Sequence, residues 1–142
     1  MRGRNVRFVA SLAVCVLLPV ISAVAKDSIS RPFYIQGHFQ QIINLSSSMG
    51  TTAAEGTATH LGRSTLQGFG YQGDFFGTIV AANGDEISFH FSDNVISFTG
   101  GTGRFKNVSG ECSSVANILS YVNDGTTLTI TGDFTGSGTI TY

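Results

Sequence analysis

The sequence predicts an all-β chain closed into an antiparallel barrel of eight strands, or nine if the last run is split. Three observations carry that expectation. After residue 26, apolar residues recur with a period of two, and no apolar stripe of helical period is long enough to define a helix. Clusters of Gly, Asn, Asp and Ser punctuate these runs at roughly ten-residue spacing. Finally, residues 95–111, VISFTGGTGRFKNVSGE, set a Gly-Gly-Thr-Gly turn between two strand-like runs, where glycine supplies positive φ or close backbone approach. Short, evenly spaced strands belong to sandwiches and barrels, and closure removes edges that recruit other chains.

The first run is Phe33 to Leu45, with Phe33, Ile35, Phe39, Ile43 and Leu45 on one face and Gly37 marking a bulge or bend. Ser46 to Gly50 reads as a loop. Runs two to four are Thr52–Leu61, Ser64–Gly73 and Asp74–Ala82. Asn83-Gly84, between Ile79-Val80-Ala81 and Ile87-Ser88-Phe89, is a strong hairpin signal. The fifth run, Glu86–Phe91, sets Ile87, Phe89 and Phe91 against Glu86, Ser88 and His90, and Ser92-Asp93 turns the chain. Asn94–Thr99 leads into the glycine turn, and Glu111–Tyr121 follows it. After Asp124-Gly125, Leu128, Ile130 and Phe134 alternate with threonines, and Thr139–Tyr142 closes the chain as a further strand.

Residues 1–25 read as a signal peptide. Arg2, Arg4 and Arg7 precede an apolar run from Phe8 to Val24, and Ala23-Val24-Ala25 is an A-x-A cleavage site. An uncleaved membrane anchor is the competing reading, opposed by Pro19 within the run and by the A-x-A end. Residues 26–142 then form a single exported domain, periplasmic or extracellular. Loss of Arg2, Arg4 and Arg7 leaves five basic against nine acidic residues, a formal charge of −4. So few cations on a mildly acidic chain argue against a nucleic-acid partner, and against a membrane partner once the leader is removed. Cys15 leaves with the leader, so Cys112 has no intramolecular partner and reads as a small buried hydrophobe.

Phe33-Tyr34, Ile42-Ile43, Phe75-Phe76 and Val95-Ile96 are adjacent apolar pairs whose members face opposite sides of a strand. A small barrel needs only its inner face apolar, so the outer members call for a covering partner: a homo-oligomer, or a terminal segment packed on the barrel.

Residues 98–110, FTGGTGRFKNVSG, resemble the GGTG-x-F-x-x-A-x-G segment of plant dirigent proteins and, more loosely, allene oxide cyclases. Residues 56–62, GTATHLG, are similar to a segment of bacterial secreted proteins of the same superfamily. The two segments cover about twenty residues, and Val108 and Ser109 depart from the Ala and Arg of the dirigent pattern. The resemblance implies a calycin-like, allene-oxide-cyclase-like eight-stranded barrel that holds a small, largely apolar molecule and needs no cofactor. It also implies a carboxylate on an early strand in the plant cyclases. The first run here has none, and Glu55 on the second is the nearest.

Glu55 in an apolar interior would have a raised pKa and act as an acid; at a strand end in water it would do neither. His60, with Arg63 and Tyr71 near in sequence, is a further catalytic candidate, or a turn residue bonded to a carbonyl. His38, His60 and His90 lie on separate runs without metal-motif spacing, so no metal is implied. Arg104 reads as fixing the glycine turn. Residues 68–73, GFGYQG, satisfy G-x-G-x-x-G, but no helix pattern follows them.

Three functions remain open. One is a binding barrel whose lining includes Phe39, Phe89, Phe91 and Ile130. Another is a cyclase or isomerase that holds a flexible substrate in a reactive conformer. The last is a structural or surface-assembly barrel filled by side chains. An apolar cavity favours the first, one containing Glu55 or His60 beside Tyr71 the second, and a solid interior the third.

Overall fold

The structure, a computed structural model, describes residues 28–142; the signal peptide and cleavage site expected over residues 1–25 lie outside them. Eight strands form one closed antiparallel barrel in sequence order: β1 Ser30–Asn44, β2 Met49–Ala58, β3 Gly62–Tyr71, β4 Asp74–Val80, β5 Glu86–Ser92, β6 Val95–Gly101, β7 Ser109–Asn123 and β8 Thr127–Thr141. β8 returns to pair with β1 from Ser30↔Thr141 to Asn44↔Thr127, which closes the cylinder. The strand count is eight because Leu128–Phe134 and Thr139–Thr141 belong to one continuous strand.

Gly37 marks no bulge. It pairs in unbroken register with Gly56 on β2 and Phe134 on β8. A Cβ on Gly37 would strike the Glu55 carbonyl, and one on Gly56 the Gln36 carbonyl, so the two glycines let β1 and β2 coil tightly against each other. The register shifts instead lie at Ser88/Phe89, opposite Thr99, and in β7 between Ile118 and Ser120. Asn83-Gly84 does make a hairpin, with a five-residue connection from Ala81 to Asp85 rather than a two-residue one. Its Ala81 N–H donates to Asp85 O at 2.8 Å, and Gly84 takes φ +87°.

The glycine turn does more than join two strands. β6 leads into a single 3-10 turn, Gly103–Phe105, and the run toward Ser109 is irregular rather than a strand. Gly103 has φ +54°, and a side chain there would collide with the Asp85 carboxylate. That carboxylate accepts from the Arg104 N–H at 3.3 Å, while Thr102 N–H donates to Glu86 O at 2.9 Å. The segment thus lies across one end of the barrel and drives Phe105 and Val108 inward, leaving them 0% and 6% exposed.

Phe105 and Val108 join the core at this end. Phe33, Leu61, Ile79, Ile87, Phe98, Cys112 and Ile140 pack there almost without exposure. The Phe33 and Phe98 rings meet edge to face at 5.1 Å. Cys112 is free, and its Sγ occupies space that a side chain on Gly136 would take. Burial pushes the thiol up to about 11. Each adjacent apolar pair straddles the wall. Phe33 and Phe75 are buried, whereas Tyr34, Ile42 and Phe76 are exposed, and none of the described residues forms a segment that covers them.

Candidate functional site

The barrel is solid at the end plugged by Phe105 and hollow at the other. Inner-facing side chains near the plug are nearly inaccessible. Toward the turns 45–48, 72–73, 93–94 and 124–126 the inner-facing Phe39, Gln41, Ile43, Phe91 and Ile130 are only half-buried. Between the two regimes lies a cavity of about 210 Å³ to which all eight strands contribute. Strand alternation aims every second residue into it.

Phe39, Phe89, Phe91 and Ile130 all stand in its wall, with Leu66, Phe75, Ile96, Ile118 and Phe134. Phe39 and Phe134 approach edge to face at 6.5 Å, and Phe75 and Phe91 are tilted at 6.4 Å. Glycine makes room for these rings. A Cβ on Gly77 would come within 2.8 Å of Phe89 Cζ, and one on Gly132 within 2.9 Å of Phe39 Cε1. The polar side chains of the wall are Gln41, Thr52 and Ser114, and no charged residue lines it. Gln41 Nε2 donates to Thr52 Oγ1 at 3.3 Å, which leaves the amide oxygen of Gln41 as an acceptor at the wall. The sequence alone does not mark these three polar positions, because on β1 and β2 Gln and Thr recur on both faces.

The catalytic candidates are placed elsewhere. Glu55 is exposed on the outer face of β2, opposite His38 on β1 and Thr65 on β3. His60 sits in the β2–β3 turn with φ +69°, at the plugged end, and its Nε2 lies 3.0 Å from the Pro32 carbonyl oxygen. Tyr71 ends β3 at the opposite rim and is 48% exposed. Nine residues of extended strand, about 30 Å, separate it from Gly62 beside His60. The structure therefore brings none of the three together, and none lines the cavity.

Arg104 belongs to the plug. Its guanidinium donates to the His60 carbonyl and lies 4.7 Å from the Phe105 ring centre and 5.9 Å from that of Tyr142. His38 pairs with Asp133 and His90 with Asp74, both on the outer surface. Among the described residues no three His, Cys, Asp or Glu side chains converge as metal ligands do.

No protein-family model and no curated protein matches this chain. Among solved structures it is similar to a pterocarpan synthase dirigent protein, at 12% identity and a TM-score of 0.48, over 80% of this chain and 86% of that one. The barrel assignment stands on the closed ladder of strand pairings described above.

Proposed function

We propose that this is an exported barrel that binds a small, neutral, largely apolar molecule at its open end. The single observation that carries this reading is the cavity of about 210 Å³, walled by aromatic and aliphatic side chains and lacking any charged group. An ionised ligand there would lose hydration with no counter-charge to replace it. An apolar cavity of about 150 Å³ accommodates benzene, so a single substituted ring fits within this one, and a longer molecule extends through the mouth. Gln41, Thr52 and Ser114 supply the few polar contacts that orient such a guest. With Glu55, His60 and Tyr71 outside the wall, the cavity offers shape without an acid or a base.

Ligand-observed NMR with p-xylene as the neutral probe and benzoate as its charged counterpart tests the reading. Saturable transfer to p-xylene, weak transfer to benzoate, and loss of the p-xylene signal in Ala54→Phe support it. Ala54 lines the cavity, and its enlargement fills the space. Equal p-xylene binding by a folded Ala54→Phe variant, or none by the parent chain, overturns it.

A further inference from the structure

The ladder of the barrel is uneven. β6 pairs with β7 only from Val95↔Ser113 to Ser97↔Glu111. One more bond, from Ser114 N–H to Asn94 O at 2.7 Å, ends the seam. β7 nevertheless runs on to Asn123. Among the described residues no strand pairs with the β6-side edge of its second half, Val115 to Asn123, and every residue of that half is exposed. The sequence there, VANILSYVN, has no charge, no proline and no glycine. A bare edge of this kind offers a row of unpaired N–H and C=O groups that an added strand satisfies.

Side-chain order selects which strand. Ala116 and Ile118 face the cavity, and Tyr121 pairs with Ile130, itself a cavity residue. The register shift at Leu119 reverses the alternation, so Val115, Asn117, Ser120 and Val122 face outward. An antiparallel copy related by a two-fold axis between Ile118 and Leu119 sets Val115 opposite Val122, Ala116 opposite Tyr121, and Asn117 opposite Ser120. Each pair joins inner with inner or outer with outer, and matches apolar with apolar, small with large, or amide with hydroxyl. Without the extra residue at Leu119, those pairings would cross faces. Charge points the same way: with a formal −4 on residues 26–142, two copies carry like net charge, and this edge carries none of it.

The geometry points to the second half of β7 as the contact between two copies of this chain, joined strand to strand across that two-fold axis. This goes beyond the binding reading and does not depend on it. The strand supplies fewer residues than the roughly 20 to 30 per side of a standard interface, so the association is concentration-dependent.

Sedimentation equilibrium of the full exported chain, from micromolar to millimolar concentration, tests the contact. A monomer–dimer equilibrium is expected. Val115 and Val122 are 71% and 57% exposed, so charges at these positions leave the fold intact. Val115→Lys and Val122→Glu each weaken the dimer by about tenfold. The double variant, which sets Lys against Glu twice across the axis, restores affinity to within about threefold of the parent. A monomer throughout the range, an oligomer indifferent to Val115→Lys, or a double variant no better than the singles overturns the proposal.

Discussion

Replacing Phe105 by alanine separates the two ends of the barrel. The ring is fully buried, meets Tyr142 edge to face at 5.0 Å, and lies beneath the Arg104 guanidinium at 4.7 Å. Its burial is worth about 1.5 to 3 kcal/mol and the aromatic contact about 0.5 to 1.5. A residual cavity adds to both, because the closed ladder around the plug relaxes only in part. The total falls in the range of about 3 to 5 kcal/mol seen for buried Phe to Ala changes. Against a net stability of about 5 to 15 kcal/mol this is a large fraction. With a urea slope of about 2 kcal/mol per molar, the unfolding midpoint drops by roughly 1.5 to 2.5 M. Tyr34→Ala, a control on the outer wall at 59% exposure, shifts stability by about 0.5 kcal/mol or less. Urea unfolding followed by far-UV circular dichroism measures both. A midpoint shift below about 0.5 M for Phe105→Ala, or an equal shift for Tyr34→Ala, refutes the assignment of the plug.

Gly77→Ala drives a methyl into the Gln67 carbonyl on one side and to 2.8 Å from Phe89 Cζ on the other. A destabilisation of about 1 to 3 kcal/mol is expected, together with weaker p-xylene binding as Phe89 is displaced; unchanged thermal unfolding and binding would contradict it. The Cys112 thiol gives a pH signature. Its folded pKa, about 11, stands above the ordinary value of 9.0, so the unfolded chain loses this proton first. The contribution to stability is complete below pH 9.0 and declines as pH rises toward about 11. Urea midpoints at neutral and alkaline pH therefore diverge in the parent and much less in Cys112→Ala, and iodoacetamide labels the thiol slowly until the chain unfolds. Rapid labelling of the native protein at neutral pH counts against this account.

Strand alternation was legible wherever large apolar residues marked it. Ile87, Phe89 and Phe91 face inward as their spacing requires, and Asn83-Gly84 turns the chain. The boundaries drifted where glycine sits inside a strand. The stretch with Gly136 and Gly138 left Thr139–Tyr142 as a separate strand, yet its backbone continues β8, because the missing side chains admit Cys112 and neighbouring backbone. Residues 104–108 read as part of a short strand-like run but fold as a plug, since Phe105 and Val108, three residues apart, satisfy their apolarity by capping the barrel. Of the hydrophobic wall of the cavity, the sequence named Phe39, Phe89, Phe91 and Ile130, but not Leu66, Phe75, Ile96, Ile118 or Phe134. Its polar members and the outward placement of Glu55 were not legible either, because a single residue of register moves a side chain through the sheet.

A cylinder stoppered at one rim and unfilled at the other does not open uniformly. Local fluctuation concentrates where contacts are fewest, at the turns around the mouth, while the far rim moves only when the molecule unfolds as a whole. A guest bound there as proposed would therefore come and go through motions that leave global stability untouched. On that reading, substitutions near the mouth would alter which guest is held and for how long, whereas those at the stopper would decide whether any folded chain is present to hold it.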